Sequence, residues 1–305
     1  MVLDFRAVIG VLWRGKLLIV AVTALVTVLA VAYVLLAASV YRATTLLSPV
    51  NQDQAGGLAG LAAEYAGLAS LAGINLGSSG GDKTAYALQV LQSRAFISAF
   101  ISKRDLSVPL MAARRWDAGS DGLVLDEDVY DEAAQKWVRK ARPPRTAEPS
   151  EQEKYEAFID ILSVAEDTQT GFVFVSIAHY SPSVARDWLH WLVADLNEEI
   201  RRQDVEMAEQ AIAYLEQQIE LTSLAEMREV FFRLIEEQTK TVLLANANRE
   251  YVLRTIDPPF APERRWRPQR KLVVLLSFFA GGLLGCLIVL FRVDAQLTGR
   301  EPESQ

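Results

Sequence analysis

Few residues in this 305-residue chain carry the side chains that catalysis or metal binding requires. Histidine occurs only at His179 and His190, and cysteine only at Cys286. A zinc centre draws on several Cys, His or carboxylate ligands at characteristic spacing, and no such cluster occurs. One cysteine also excludes an intramolecular disulfide. No Ser/His/Asp set or carboxylate pair stands out, so both histidines are expected to pack against a sheet and a helix. The nearest approach to a nucleotide site is Gly77–Thr84, GSSGGDKT, which is close to the phosphate loop G-x-x-x-x-G-K-[ST]. The glycine needed before Lys83 is Asp82, whose carboxylate repels phosphate where backbone amides should cradle it. The chain is therefore not expected to be an enzyme or to carry a cofactor or metal.

A second group of residues suits a membrane rather than a reaction. Arg264, Arg265, Arg267, Arg270 and Lys271 form a basic collar before an uncharged run. Long basic side chains in such a place reach out to lipid phosphates and anchor a span; the alternative is contact with a pyrophosphate-linked lipid carrier. Within the run, Gly281-x-x-x-Gly285 allows a neighbouring helix to approach closely. Ahead of the run stand Pro259-x-x-Pro262 and then, after four intervening residues, Arg267-Pro268-Gln269; eleven residues separate Gln269 from Gly281.

The elements that must position these groups begin with two spans. Residues 17–41 and 272–291 contain no charged residue. Leu17–Ala38 holds thirteen Leu, Ile or Val residues, and Leu272–Phe291 holds fourteen Leu, Ile, Val or Phe. As helices they would measure roughly 33 and 30 Å, the thickness of a hydrocarbon core. The first run is longer than the ~7–15 apolar residues of a cleaved signal peptide. Both are expected to cross the membrane. A head (1–16) and a tail (292–305) then lie on one side, with residues 42–271 on the other. Arg6, Arg14 and Lys16 precede the first span and only Arg42 follows it, which favours cytoplasmic termini. The net charge is -7; residues 1–41 carry +2 and residues 292–305 carry -1, leaving -8 on the middle. An acidic domain of this kind excludes a nucleic-acid partner, which calls for a basic face.

Within the middle, Arg42–Val50 has the composition of a strand that closes at Pro49. Residues 55–81 hold eight of the 17 glycines and predict no regular element. Thr84–Lys103 has helical spacing, and Val129–Lys140 is expected to be a short amphipathic helix. Ile161–Glu166 and Gly171–Ala178 predict a hairpin. A helix over 183–222, with Ser183 as its N-cap, would reach roughly 58 Å and protrude from a compact domain. A second helix over Leu224–Ala245 and a strand over Tyr251–Ile256 complete the middle. The fold class is α+β: two transmembrane helices flanking an α/β domain with a long protruding helix.

The proline–glycine spacing resembles the signature of the polysaccharide co-polymerases, the Wzz-type chain-length determinants of Gram-negative bacteria. Where the family has Ser-Pro-Lys, this chain has Arg267-Pro268-Gln269 and keeps only the proline, with Arg270 and Lys271 beside it. The resemblance includes Leu12–Arg14 before the first span and Tyr41-Arg42-Ala43 after it. It continues through Glu226, Arg228, Leu234-Ile235-Glu236, Gln238-Thr239-Lys240 and Ala245, then Glu250-Tyr251 and Ile256-Asp257-Pro258. It implies a bacterial inner-membrane protein with a periplasmic domain, forming ring-like homo-oligomers without a catalytic residue set. It further implies a Wzy-type polymerase and an undecaprenyl-pyrophosphate-linked glycan, O-antigen or a related surface polysaccharide, as partners besides membrane lipids. Pro259, Pro262, Pro268, Gly281 and Gly285 are the family-motif and helix-packing residues on this reading. Only fourteen residues follow Phe291, so no ATPase domain is expected after the second span. Two rivals remain: an adaptor for capsule or exopolysaccharide export, favoured by a longer coiled coil, and a two-span sensor, which would need a signalling domain.

Overall fold

The computed structural model describes residues 13, 15–50, 79–222 and 224–298. Most of the head, most of the glycine-rich stretch and the end of the tail lie outside the described residues. In chain order the elements are α1 (Lys16–Leu36), β1 (Tyr41–Pro49), α2 (Ser79–Gln92), α3 (Arg94–Lys103) and α4 (Ser107–Met111). There follow β2 (Ala113–Asp117), β3 (Gly122–Leu125), β4 (Tyr130–Asp131), β5 (Lys136–Trp137), α5 (Glu151–Ile161), β6 (Leu162–Glu166) and β7 (Val173–His179). The chain continues with α6 (Pro182–Leu221), α7 (Ala225–Ala247), β8 (Leu253–Asp257) and α8 (Arg270–Thr298). It forms two units, one of Met1–Val40 with Arg264–Gln305 and one of Tyr41–Glu263.

The first unit pairs α1 with α8. Both are long and apolar enough to cross a membrane, over Lys16–Leu36 and Arg270–Phe291, each with a mean hydropathy of 2.7. The uncharged run at 17–41 is not helical to its end. Ala37 is already extended, Val40 bridges to Arg267, and Tyr41 opens β1. The β-branched Val40 and the ring of Tyr41 gain strand partners there. In the other direction α8 runs on past Phe291 to Thr298, over a stretch with neither glycine nor proline to stop it.

In the second unit an antiparallel sheet of order β6-β7-β1-β8 lies against α6. β1 is central, in register with β7 from Tyr41↔His179 to Leu47↔Val173 and with β8 from Leu47↔Thr255 to Pro49↔Leu253. Tyr41, Ala43, Thr45 and Leu47 alternate onto its buried face, as a half-covered strand demands. The core joins Ala43, Leu47 and Ile177 of the sheet to Trp188, Leu192 and Leu196 of α6 and Phe100 of α3. Each fully buried large aliphatic side chain contributes ~1.5–3 kcal/mol.

α6 has 40 residues and begins at Ser181, whose Oγ accepts from the Val184 amide, with Pro182 in the first turn. The cap is thus Ser181 rather than Ser183, because Pro182 has no amide to lose at the first helical position. Ser183 instead bonds the cap hydroxyl at 2.8 Å. The buried residues of α6 end at Ile200 apart from Ala208, so its last 20 residues project about 30 Å beyond the core beside α7. The turn between the two helices is closed by Arg228, which donates to the Thr222 carbonyl at 2.7 Å.

Two local expectations change. Thr84–Lys103 is two helices, because Ser93 interrupts the first and caps the second through Phe96 N–H. Val129–Lys140 is a small hairpin, not a helix. Asp131 accepts from the Ala134 amide, Gln135 has φ 49°, and Tyr130 meets Trp137 edge-on at 5.0 Å. This side-chain turn chemistry competes with the helix that the spacing alone favours.

Candidate functional site

The two side chains that most resemble catalytic groups both serve structure. His179 ends β7 and is buried, its ring 4.9 Å from that of Trp188. Its Nδ1 accepts from the Ser181 amide at 3.2 Å, so Nε2 carries the proton and donates to the Pro109 carbonyl at 3.1 Å. Burial pushes its pKa down to about 4. The ring is neutral with both nitrogens used. Lys83, the lysine of the near-phosphate loop, extends to Asp204 of α6 at 2.6 Å and lies 4.3 Å over the ring of Tyr251. The Tyr251 hydroxyl donates to the same carboxylate at 2.7 Å. Gly77 and Ser78 lie outside the described residues. Among the described residues, no group of three or more His, Cys, Asp or Glu is arranged to hold a metal.

In the first unit Gly281 and Gly285 face α1. A Cβ on Gly281 would lie 3.0 Å from Thr23 Cα, and one on Gly285 would lie 2.9 Å from Ile19 Cα. One turn further on, Val289 stands against Gly15, where a Cβ would meet its methyl at 2.5 Å. The seam therefore joins Gly15, Ile19 and Thr23 to Val289, Gly285 and Gly281, one turn per step and antiparallel. Thr23 keeps its hydroxyl off the seam by donating to the Ile19 carbonyl at 2.8 Å. Gly282 is different: a Cβ there would meet only Thr23 Oγ1, at 3.9 Å.

The collar residues Arg264, Arg265, Arg267, Arg270 and Lys271 are all exposed. Arg267 stacks its guanidinium 4.0 Å over the Trp266 ring, and its peptide bond to Pro268 is cis. Arg270 and Lys271 open α8. Positive charge at a helix N-terminus opposes the macrodipole, so these two gain nothing from the helix and suit an anionic neighbour. The prolines divide between the units, Pro259 and Pro262 in the second and Pro268 in the first.

Sequence reasoning missed a cleft of about 420 Å³ in the second unit. One wall is a face of α6 carrying His190, Ala194, Asn197 and Arg201; the other is built from Asn246, Arg249, Glu250 and Pro259. The spacing of seven and then four residues from His190 to Asn197 and Arg201 was visible in the sequence, but its opposite wall comes from residues about fifty positions later. Asn197 sets the distance between the walls. Buried, it accepts from the amides of Val252 (2.9 Å) and Leu253 (3.0 Å) and donates to the Leu253 carbonyl (2.9 Å). Arg201 is held by Glu198 at 2.6 Å and Glu250 accepts from the Thr255 amide at 3.0 Å. Among the described residues, no hydrogen bond or ion pair engages the side chains of His190 or Arg249.

Beyond the core, α6, α7 and the turn between them expose Met207, Tyr214, Leu221, Leu224 and Phe232. An apolar surface of this extent on a projecting helical arm fits a protein–protein contact.

No curated protein sequence matches this chain. Among solved structures it is similar to a full-length bacterial polysaccharide co-polymerase, at 13% identity, covering 99% of this chain and 100% of that one with a TM-score of 0.41. It is also similar to a fragment of WzzB, a polysaccharide co-polymerase from Salmonella Typhimurium, at 12% identity over 75% of this chain and 100% of that one, with a TM-score of 0.31. Residues 2–104 match the family model described as Wzz: Chain length determinant protein. That stretch holds α1, β1, α2 and α3, and leaves out the proline–glycine run at 259–285. Over its first third the chain is thus similar to the family model of the Wzz chain length determinants, a match that leaves out the proline–glycine run.

Proposed function

We propose that this protein regulates polysaccharide chain length without catalysing a reaction itself. On this reading it acts as a homo-oligomer in the bacterial inner membrane, alongside a Wzy-type polymerase that extends an undecaprenyl-pyrophosphate-linked glycan, O-antigen or a related surface polymer. Residues 42–271 are periplasmic and both termini cytoplasmic. The observation that carries the reading is the match of residues 2–104 to the chain length determinant family. Other features support it. The exposed apolar arm of α6 and α7 suits self-association, and the exposed collar suits lipid or pyrophosphate-linked carrier contact. His179 and Lys83 are engaged in the fold rather than presented to a substrate.

Deletion of the gene tests the proposal. Polymer synthesis should persist while the length distribution on a polysaccharide gel broadens or shifts, and the full-length chain should restore it. Complete loss of polymer would instead favour an export adaptor and overturn the proposal.

A further inference from the structure

We propose that the cleft between α6 and the Asn246–Glu250 segment is a saccharide subsite, taking one or two units of a neutral polyhydroxylated ligand. The inference rests on the polysaccharide reading above and gives it a location. At about 420 Å³ the cleft falls within the ~300–1,000 Å³ range of small-molecule sites. Its charges balance: Arg201 and Arg249 against Glu198 and Glu250. A charged ligand leaves one sign unmatched, and an apolar one strips water from all four groups without replacing its hydrogen bonds. Hydroxyl groups both donate and accept, so a polyol satisfies guanidinium, amide and carboxylate together.

The arrangement also separates supporting groups from contacting ones. Asn197 has its amide engaged by the Val252–Leu253 backbone, which makes it a positioning residue. Arg249 and His190 have no partner among the described residues and face the cleft with donors to offer. Asn246 accepts from Arg201 only at 3.4 Å, and its amide nitrogen has no partner among the described residues. Pro259 adds an apolar wall suited to the C–H face of a sugar ring.

Ala194 is exposed on the cleft wall, so Ala194→Trp fills the space without entering the core. Ala213→Trp places the same ring on an exposed position of the same helix, outside the cleft lining. Saturation-transfer NMR would use the full-length chain in nanodiscs. The probe is oligosaccharides of one to three repeats, released by mild acid from the host's surface polysaccharide. Saturation of sugar protons is expected with the parent and with Ala213→Trp, reduced at least fivefold by Ala194→Trp and several-fold by Arg249→Ala. Equal saturation in the parent and Ala194→Trp, or none in the parent, would overturn the subsite. So would competition by inorganic pyrophosphate, which would make the cleft an anion site. The two proposals fail separately. A deletion that shifts polymer length while the parent shows no saturation removes only the subsite. Unchanged polymer lengths with Ala194-dependent binding remove only the length-control role.

Discussion

Replacing single glycines of the α1–α8 seam with alanine should loosen it in a position-dependent way. Carbon atoms in contact settle at ~3.5–4.0 Å. The new Cβ of Gly285→Ala would stand 2.9 Å from Ile19 Cα, and that of Gly281→Ala 3.0 Å from Thr23 Cα. Both obstacles are backbone atoms that no rotamer change can move, so the helices must separate by roughly 0.5–1 Å to restore ordinary contact. A gap of that size forfeits a quarter to a half of each ~0.1–0.2 kcal/mol atom pair. Over some ten to twenty pairs along the seam the loss is about 0.3–2 kcal/mol, or roughly 1.5- to thirtyfold in the equilibrium between packed and separated spans. Gly282→Ala supplies the control, since its Cβ meets only a hydroxyl at 3.9 Å. All three changes add one methyl to one helix, so hydrophobicity and insertion stay matched. An environment-sensitive fluorophore on Cys286, the single cysteine, should report span separation as SDS is titrated into mixed micelles of the full-length protein. The midpoint should fall for Gly281→Ala and Gly285→Ala and hold for Gly282→Ala. Identical midpoints for all three would refute the seam.

Other expectations follow from the second unit. Below pH ~6.5 the unfolded chain protonates His179 while the folded chain resists to about 4, so the unfolded state binds more protons and acid destabilises. Denaturant unfolding should show about 3 kcal/mol lost across that window through this group, and His179→Phe should flatten the slope. Asn197→Leu leaves two buried amides and a carbonyl without partners, a cost of about 3 kcal/mol or more, and hydrogen exchange should quicken at Val252 and Leu253. Lys83→Ala removes a partly exposed ion pair to Asp204 and should cost about 1 kcal/mol, lowering Tm by ~2–4 °C, while neither protein hydrolyses ATP. Reporter fusions at residue 150 should give a periplasmic signal; a cytosolic one would reverse the proposed topology.

Much of the fold was legible because its signals are local. Uncharged runs mark α1 and α8, alternation marks β1 and β7, and four- and seven-residue steps mark α6. Elements fixed by a single side chain were not. Ser93 breaks a helix that its flanking apolar residues would continue, and Asp131 with Gln135 makes a hairpin from a helix-like pattern. At the candidate site the spacing of Gly281 and Gly285 drew notice, but Gly15 and Val289, on the same seam, did not. The cleft was hidden for a different reason: its walls come from α6 and from residues 246–259, and periodicity says nothing about which faces meet. Lys83 was weighed only as a phosphate ligand, because its partners Asp204 and Tyr251 are far away in sequence.

The most direct test of length control is reconstitution. A Wzy-type polymerase in proteoliposomes, given the host's lipid-linked repeat units, is assayed with and without the full-length protein, and the products are resolved by gel. Polymerase alone should yield a broad distribution that falls steadily with length. Adding this protein should gather the products around a preferred length while leaving total repeat-unit consumption unchanged. An unchanged distribution would contradict the account, as would polymer formed by this protein without the polymerase.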